Sequence, residues 1–133
     1  MIDIRFTNSP EKVFTDKIVS DYNKLLSSLV NQIAQEVIQE TPVDTGLLVS
    51  NWRIHGTNIN SRPTYNIGDI YYADAISAKI DASQYVSTVV QTISSYTQGI
   101  FGSVILENTT PYAGYVHDYY RGSFFNGVIA KYI

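Results

Sequence analysis

One long amphipathic pattern, cut off by a proline, constrains this chain more than any other feature. Ser9-Pro10 is a helix start, because Ser accepts from free backbone N–H groups and Pro at the first helical position loses no needed bond. Phe14, Ile18, Tyr22, Leu25, Leu29 and Ile33 then follow at three- and four-residue steps, which predicts one apolar face on a helix reaching about Glu40. Val19, Leu26, Val30 and Val37 widen the stripe beyond one narrow contact. The helix is therefore expected to lie on a sheet and also to touch a second helix or a neighbouring subunit. Pro42 stops it, since proline removes a donor and pushes Thr41 out of helical geometry. The segment Thr41, Pro42, Val43, Asp44, Thr45, Gly46 then reads as a tight turn, with Asp44 accepting from backbone N–H groups and Gly46 at positive φ.

Beyond the turn, Ser50 to Gly56 is predicted as a strand, with Trp52 and Ile54 on one face and Arg53 and His55 on the other. Polar residues, Pro63 and Gly68 make Thr57 to Asp69 a loop. A second helix comes next, its face carrying Ala75, Ile76, Ala82, Val86, Val90 and Ile93, with Asp81 among the polar residues opposite. Gly99 to Gly102 closes it and opens a strand over Ser103 to Glu107. The last third is aromatic and turn-rich, and its local pattern leaves helix and strand both open. Together these elements predict an α+β fold in a single domain spanning 1–133: a small twisted antiparallel sheet packed by the long N-terminal helix, with a second helix in the connection between strands.

Composition narrows the function. A net charge of −3 without a Lys/Arg run speaks against gripping nucleic acid, and no apolar run approaches the roughly 20 residues of a membrane span. No basic, apolar leader pattern opens the chain, so synthesis in the cytoplasm is expected. Zero Cys excludes disulfides and thiolate metal sites. Asp44-Thr45-Gly46 is also the signature triplet of aspartic proteases, which need two aspartates sharing one proton, something a homodimer could supply. Glu40-Thr41-Pro42 before it announces a helix end rather than an apolar strand, which favours architecture over catalysis. His55 and His117 are the only histidines, with no metal-ligand spacing around them. No cofactor, metal or nucleophile motif is present, and a non-enzymatic protein is expected. Glu36 lies in the apolar stripe, where a salt bridge to Arg53 or across a subunit boundary would relieve the cost of burial.

Two motifs in order carry a resemblance. Thr41 to Gly46 with Leu48, Ser50, Asn51 and Trp52 comes first, and Ile105, Leu106, Glu107, Asn108, Pro111, Tyr112 and Ala113 form the second. In these the chain resembles the HK97 gp10-like family of tailed-bacteriophage neck, head–tail joining and tail-completion proteins, over nearly its whole length. It departs where the family commonly has an acidic residue, since His117 stands there and Asp118 comes one place late. The resemblance implies a structural virion protein forming a homo-oligomeric ring in the neck, between portal-connector and tail proteins, with DNA passing through the lumen without specific binding. A tail-terminator or tail-tube subunit is the nearest alternative and a homodimeric aspartic protease using Asp44 the distant one. Tyr115, Tyr119, Tyr120, Phe124 and Phe125 crowd a short stretch and are the expected subunit interface.

Overall fold

The computed structural model of the protein describes residues 10–43, 46–56, 58–66, 68, 69, 72, 74–110, 113 and 126–132. The long helix α1 covers Pro10–Glu40 and ends where Pro42 requires. A short helix α2, Leu47–Ser50, leads into strand β1, Trp52–His55; helix α3 is Ala75–Ser94, strand β2 is Ile105–Asn108 and a short helix α4 is Asn126–Ile129. The two strands pair antiparallel, Trp52 opposite Asn108 and His55 opposite Ile105, with α3 in the connection between them. The fold is α+β, as the sequence predicts.

Both strands differ at their edges from expectation. Leu47 to Ser50 form one buried helical turn, with Ser50 N–H donating to Gly46 O at 3.0 Å, so β1 starts two residues late. Its second strand neighbour is replaced by a side chain: Ile54 N–H donates to the Tyr85 hydroxyl at 3.1 Å. That bond, from a residue of α3, shields the β1 edge against further pairing.

The helix packing departs more. Helix α1 runs chiefly along α3, rather than across the sheet, and buries Ala34, Val37 and Ile38 against Ala78, Ala82 and Val86. Only its C-terminal turns approach the sheet, where Trp52 and Ile54 join the same core. The expected contact stripe faces outward instead: Phe14, Ile18, Tyr22, Leu25 and Leu29 are all exposed. The apolar arc of α1 is broad enough to offer two edges, and the edge chosen carries small residues. Ser27, Ala34, Ala78 and Ala82 let the two backbones approach, whereas Phe14 or Leu25 would hold them apart. In α3 the same selection puts Val89 in the core, while Ile76 is exposed and Val90 half-buried.

A buried amide fixes the helix pair to the chain between α3 and β2. Asn23 is fully buried; its Nδ2 donates to Tyr96 O (3.3 Å) and Gly99 O (2.9 Å), and its Oδ1 accepts from Phe101 N–H at 2.8 Å. All three of these bonds are to backbone, so it staples the α3–β2 connection onto α1 and seats Phe101, whose ring meets Tyr96 edge-on at 5.2 Å.

Candidate functional site

The two motifs singled out in the sequence are laced together at one end of the sheet. Thr41, fully buried past the last turn of α1, donates from Oγ1 to Val37 O at 2.6 Å and accepts from Trp52 Nε1 at 2.9 Å. One hydroxyl thereby joins the helix end to β1. Gly46 sits at φ +87, the left-handed conformation expected of it, and a Cβ there would lie 2.7 Å from the Tyr72 ring. From the second motif, Asn108 Nδ2 donates to Leu48 O at 2.7 Å while its Oδ1 accepts from Thr110 N–H at 3.0 Å. Thr109 N–H adds a bond to Asn51 O at 3.1 Å, and Ala113 N–H closes a turn on Thr110 O. Pro42 and Val43 are half-buried beside this junction. Asp44, Thr45, Pro111 and Tyr112 lie outside the described residues, as do Tyr115, His117, Tyr119, Tyr120, Phe124 and Phe125.

Arg53, on the strand face opposite Trp52 and Ile54, is buried at the centre of the junction. Burial lowers its pKa, and the neighbouring Arg62 adds to that. Its stabilisation is by geometry: Nε donates to Arg62 O (3.0 Å), Nη1 to Ser50 O (2.6 Å) and Trp52 O (2.8 Å), and Nη2 to Asn51 Oδ1 (3.2 Å) and Pro63 O. All five N–H donors of the guanidinium have acceptors. Asn51 completes the clamp, accepting from Tyr65 N–H at 2.7 Å and donating to Tyr65 O at 2.9 Å. The segment after β1 is thus bound to the motif by one arginine and one amide.

Outside that clamp Arg62 lies over the Tyr65 and Tyr85 rings at 4.9 and 5.2 Å, sharing both with Arg53. Its Nη2 donates to Asp81 Oδ2 at 2.9 Å and its Nε to the Tyr65 hydroxyl. Burial pulls the Arg62 pKa down, but the bonds to Asp81 and Tyr65 outweigh it and the net direction is upward. Tyr72 donates to the same Asp81 oxygen at 3.0 Å, and burial followed by that carboxylate pushes its hydroxyl up to about 12. Asp81 is thus an acceptor shared by a cation and a phenol.

The remaining candidates resolve simply. Glu36 pairs with Lys131 at 3.2 Å and accepts from the Tyr132 hydroxyl, not from Arg53, and these bonds lower its pKa. His55 meets Glu107 at 2.9 Å across the strands. No group of three or more His, Cys, Asp or Glu capable of holding a metal occurs among the described residues. An open groove of about 240 Å³ between α1 and α3 is lined by Gln39, Ile76, Lys79, Ile80, Ser83 and Gln84, and its one cation, Lys79, donates to Gln39 O. Such a lining holds no acid–base pair. Sequence reasoning missed Asn23, Arg53 and Asn51 as organisers; the signal for Asn23 was a polar residue in step with Val19, Ser27 and Val30.

Compared with protein-family models, curated proteins and solved structures, the chain matches none.

Proposed function

We propose that the chain is a structural virion protein of a tailed bacteriophage, forming a ring in the neck at the head–tail junction that joins the portal-connector to the tail. The reading rests on the resemblance of its two motifs, and the observation that carries it is their union. Segments separated by more than fifty residues of chain meet through Asn108 to Leu48 and Thr109 to Asn51, so they act as one framework rather than two chance runs. Both of those bonds end on backbone carbonyls and hold the main chain in place. The most polar buried side chain, Arg53, is saturated by carbonyl and amide acceptors and has no donor left for a substrate.

The test is the particle. Tailed-phage particles carrying a tagged copy of this chain are expected to show it in a ring of density between portal-connector and tail by cryo-electron microscopy. Particles that join heads to tails in its absence overturn the reading.

A further inference from the structure

Helix α1 is longer than the helix it packs on, and the excess is apolar. The pair runs antiparallel, with Gln35 against Ser83, Ser27 against the Val90 carbonyl and Asn23 against the carbonyls of Tyr96 and Gly99. Helix α3 ends at Ser94, so α1 continues past it for the residues before Asn23, an arm of roughly 20 Å at 1.5 Å per residue. Residues 14–18 of that arm are exposed without exception. Phe14, Ile18, Tyr22, Leu25 and Leu29 form a line along α1 that starts on the arm and runs past it, between 42% and 69% exposed.

The line is straight. Phe14 and Leu25, Ile18 and Leu29, and Tyr22 and Ile33 are each eleven residues apart, a repeat of about 3.67 residues per turn that barely drifts around an α-helix. A straight stripe fits a second helix along its whole length. Half of it, Phe14 and Ile18, lies on the projecting arm; the other half, Leu25 and Leu29, lies on the outer side of the part that α3 supports.

We propose that this stripe pairs with the same stripe of a second copy of the chain, antiparallel about a two-fold axis beside Tyr22. In that register the arm of each copy lies on the supported half of the other, Phe14 meeting the partner's Leu29 and Ile18 the partner's Leu25. Charge agrees with it. Asp21 and Lys24 flank the stripe on one side, and the two-fold sets Asp21 of each copy beside the partner's Lys24. Asp21 holds Lys17 of its own helix at 3.2 Å and is 60% exposed, which leaves it accessible to a second cation. A parallel two-fold would set this flank of each copy on opposite sides of the contact, leaving Asp21 and the partner's Lys24 unpaired with each other. At about 200 Å² for a large aromatic side chain, and no more for Ile or Leu, the exposed part of the five is at most roughly 550 Å² per copy, so a pair that covers all of it only just reaches the roughly 1,000 Å² at the low end of specific interfaces. Association is therefore concentration-dependent rather than obligate. A two-fold contact closes at two copies, so it is separate from the contact that would build a ring, and the inference does not rest on the neck reading.

The chain has no Cys, so a single introduced thiol is unambiguous. Under mild oxidation Tyr22→Cys is expected to form a disulfide-linked dimer. Phe14→Cys and Leu29→Cys are expected to stay monomeric alone and to cross-link when mixed. Phe14→Cys cross-linking as readily with itself as with Leu29→Cys overturns the antiparallel register. Sedimentation of the unmodified full chain gives the second measure: a dimer at high concentration, weakened about tenfold or more by Leu25→Glu, an exposed position that leaves the core alone. Asp21→Lys should weaken the pair and Asp21→Lys with Lys24→Asp restore it. A chain that stays monomeric at every concentration, or a dimer indifferent to Leu25→Glu, overturns the proposal, including where the stripe docks only on a different protein.

Discussion

Gly46 and Arg53 show how much one residue can hold. Gly46 needs positive φ and also has no room, since the missing Cβ would fall 2.7 Å from Tyr72 and 3.1 Å from Ala78 Cβ; Gly68 has φ +92 but open space around it. Both Gly→Ala variants therefore carry the left-handed penalty of about 1–2 kcal/mol, and only Gly46→Ala adds a collision. Thermal unfolding should rank Gly46→Ala clearly below Gly68→Ala; equal melting temperatures would show that Tyr72 yields freely. Arg53→Lys retains a positive charge but offers three donors to acceptors that now receive five, and should lose about 2 kcal/mol or more. Urea titration measures it, and a loss near zero would mean that water replaces the guanidinium.

Among the elements, the ends of α1 and α3 are controlled by single side chains. Thr41→Val removes both the acceptor for Trp52 Nε1 and the donor to Val37 O in a buried place, and is expected to cost about 1–3 kcal/mol, while Thr41→Ser keeps both bonds and most of the stability. Helix α3 is capped by Asp74, in extended geometry just before Ala75, whose Oδ1 accepts from Ser77 N–H at 2.7 Å. That backbone bond holds the Asp74 carboxyl below its usual range, as Tyr132 and Lys131 do for Glu36. Folded values below unfolded ones mean stability fully present above the unfolded pKa and lost as pH falls through the folded value. Melting temperature should decline in the acid range below roughly pH 4, with a shallower slope in Asp74→Asn combined with Glu36→Gln. An unchanged slope would assign the acid limb to other carboxyls.

For the whole molecule the question is assembly against chemistry. If Asp44 serves a turn, Asp44→Asn retains an acceptor and the variant should complement a phage lacking the chain and enter particles. An aspartic protease would lose its activity, because Asn cannot share the proton. A variant that folds and enters particles yet fails to complement would revive the enzymatic reading.

Local physics made much of this fold legible. Pro10 and Pro42 bracket α1 because proline acts on its own backbone, Gly46 is left-handed because the turn demands it, and the alternation around Trp52 and Ile54 marks a strand wherever it packs. Which edge of the apolar arc of α1 would be buried was not local. That choice depended on the surface α3 offers, where Ala78 and Ala82 admit a helix with Ser27 and Ala34 and exclude one with Phe14 and Leu25. Likewise, nothing near Arg53 in sequence indicates that five acceptors from α2, β1 and the loop after it converge on its guanidinium, or that Glu36 meets Lys131 and Tyr132. A side chain's partners across space are set by how elements pack, and packing is decided by the complementarity of two surfaces, of which a single segment carries only one.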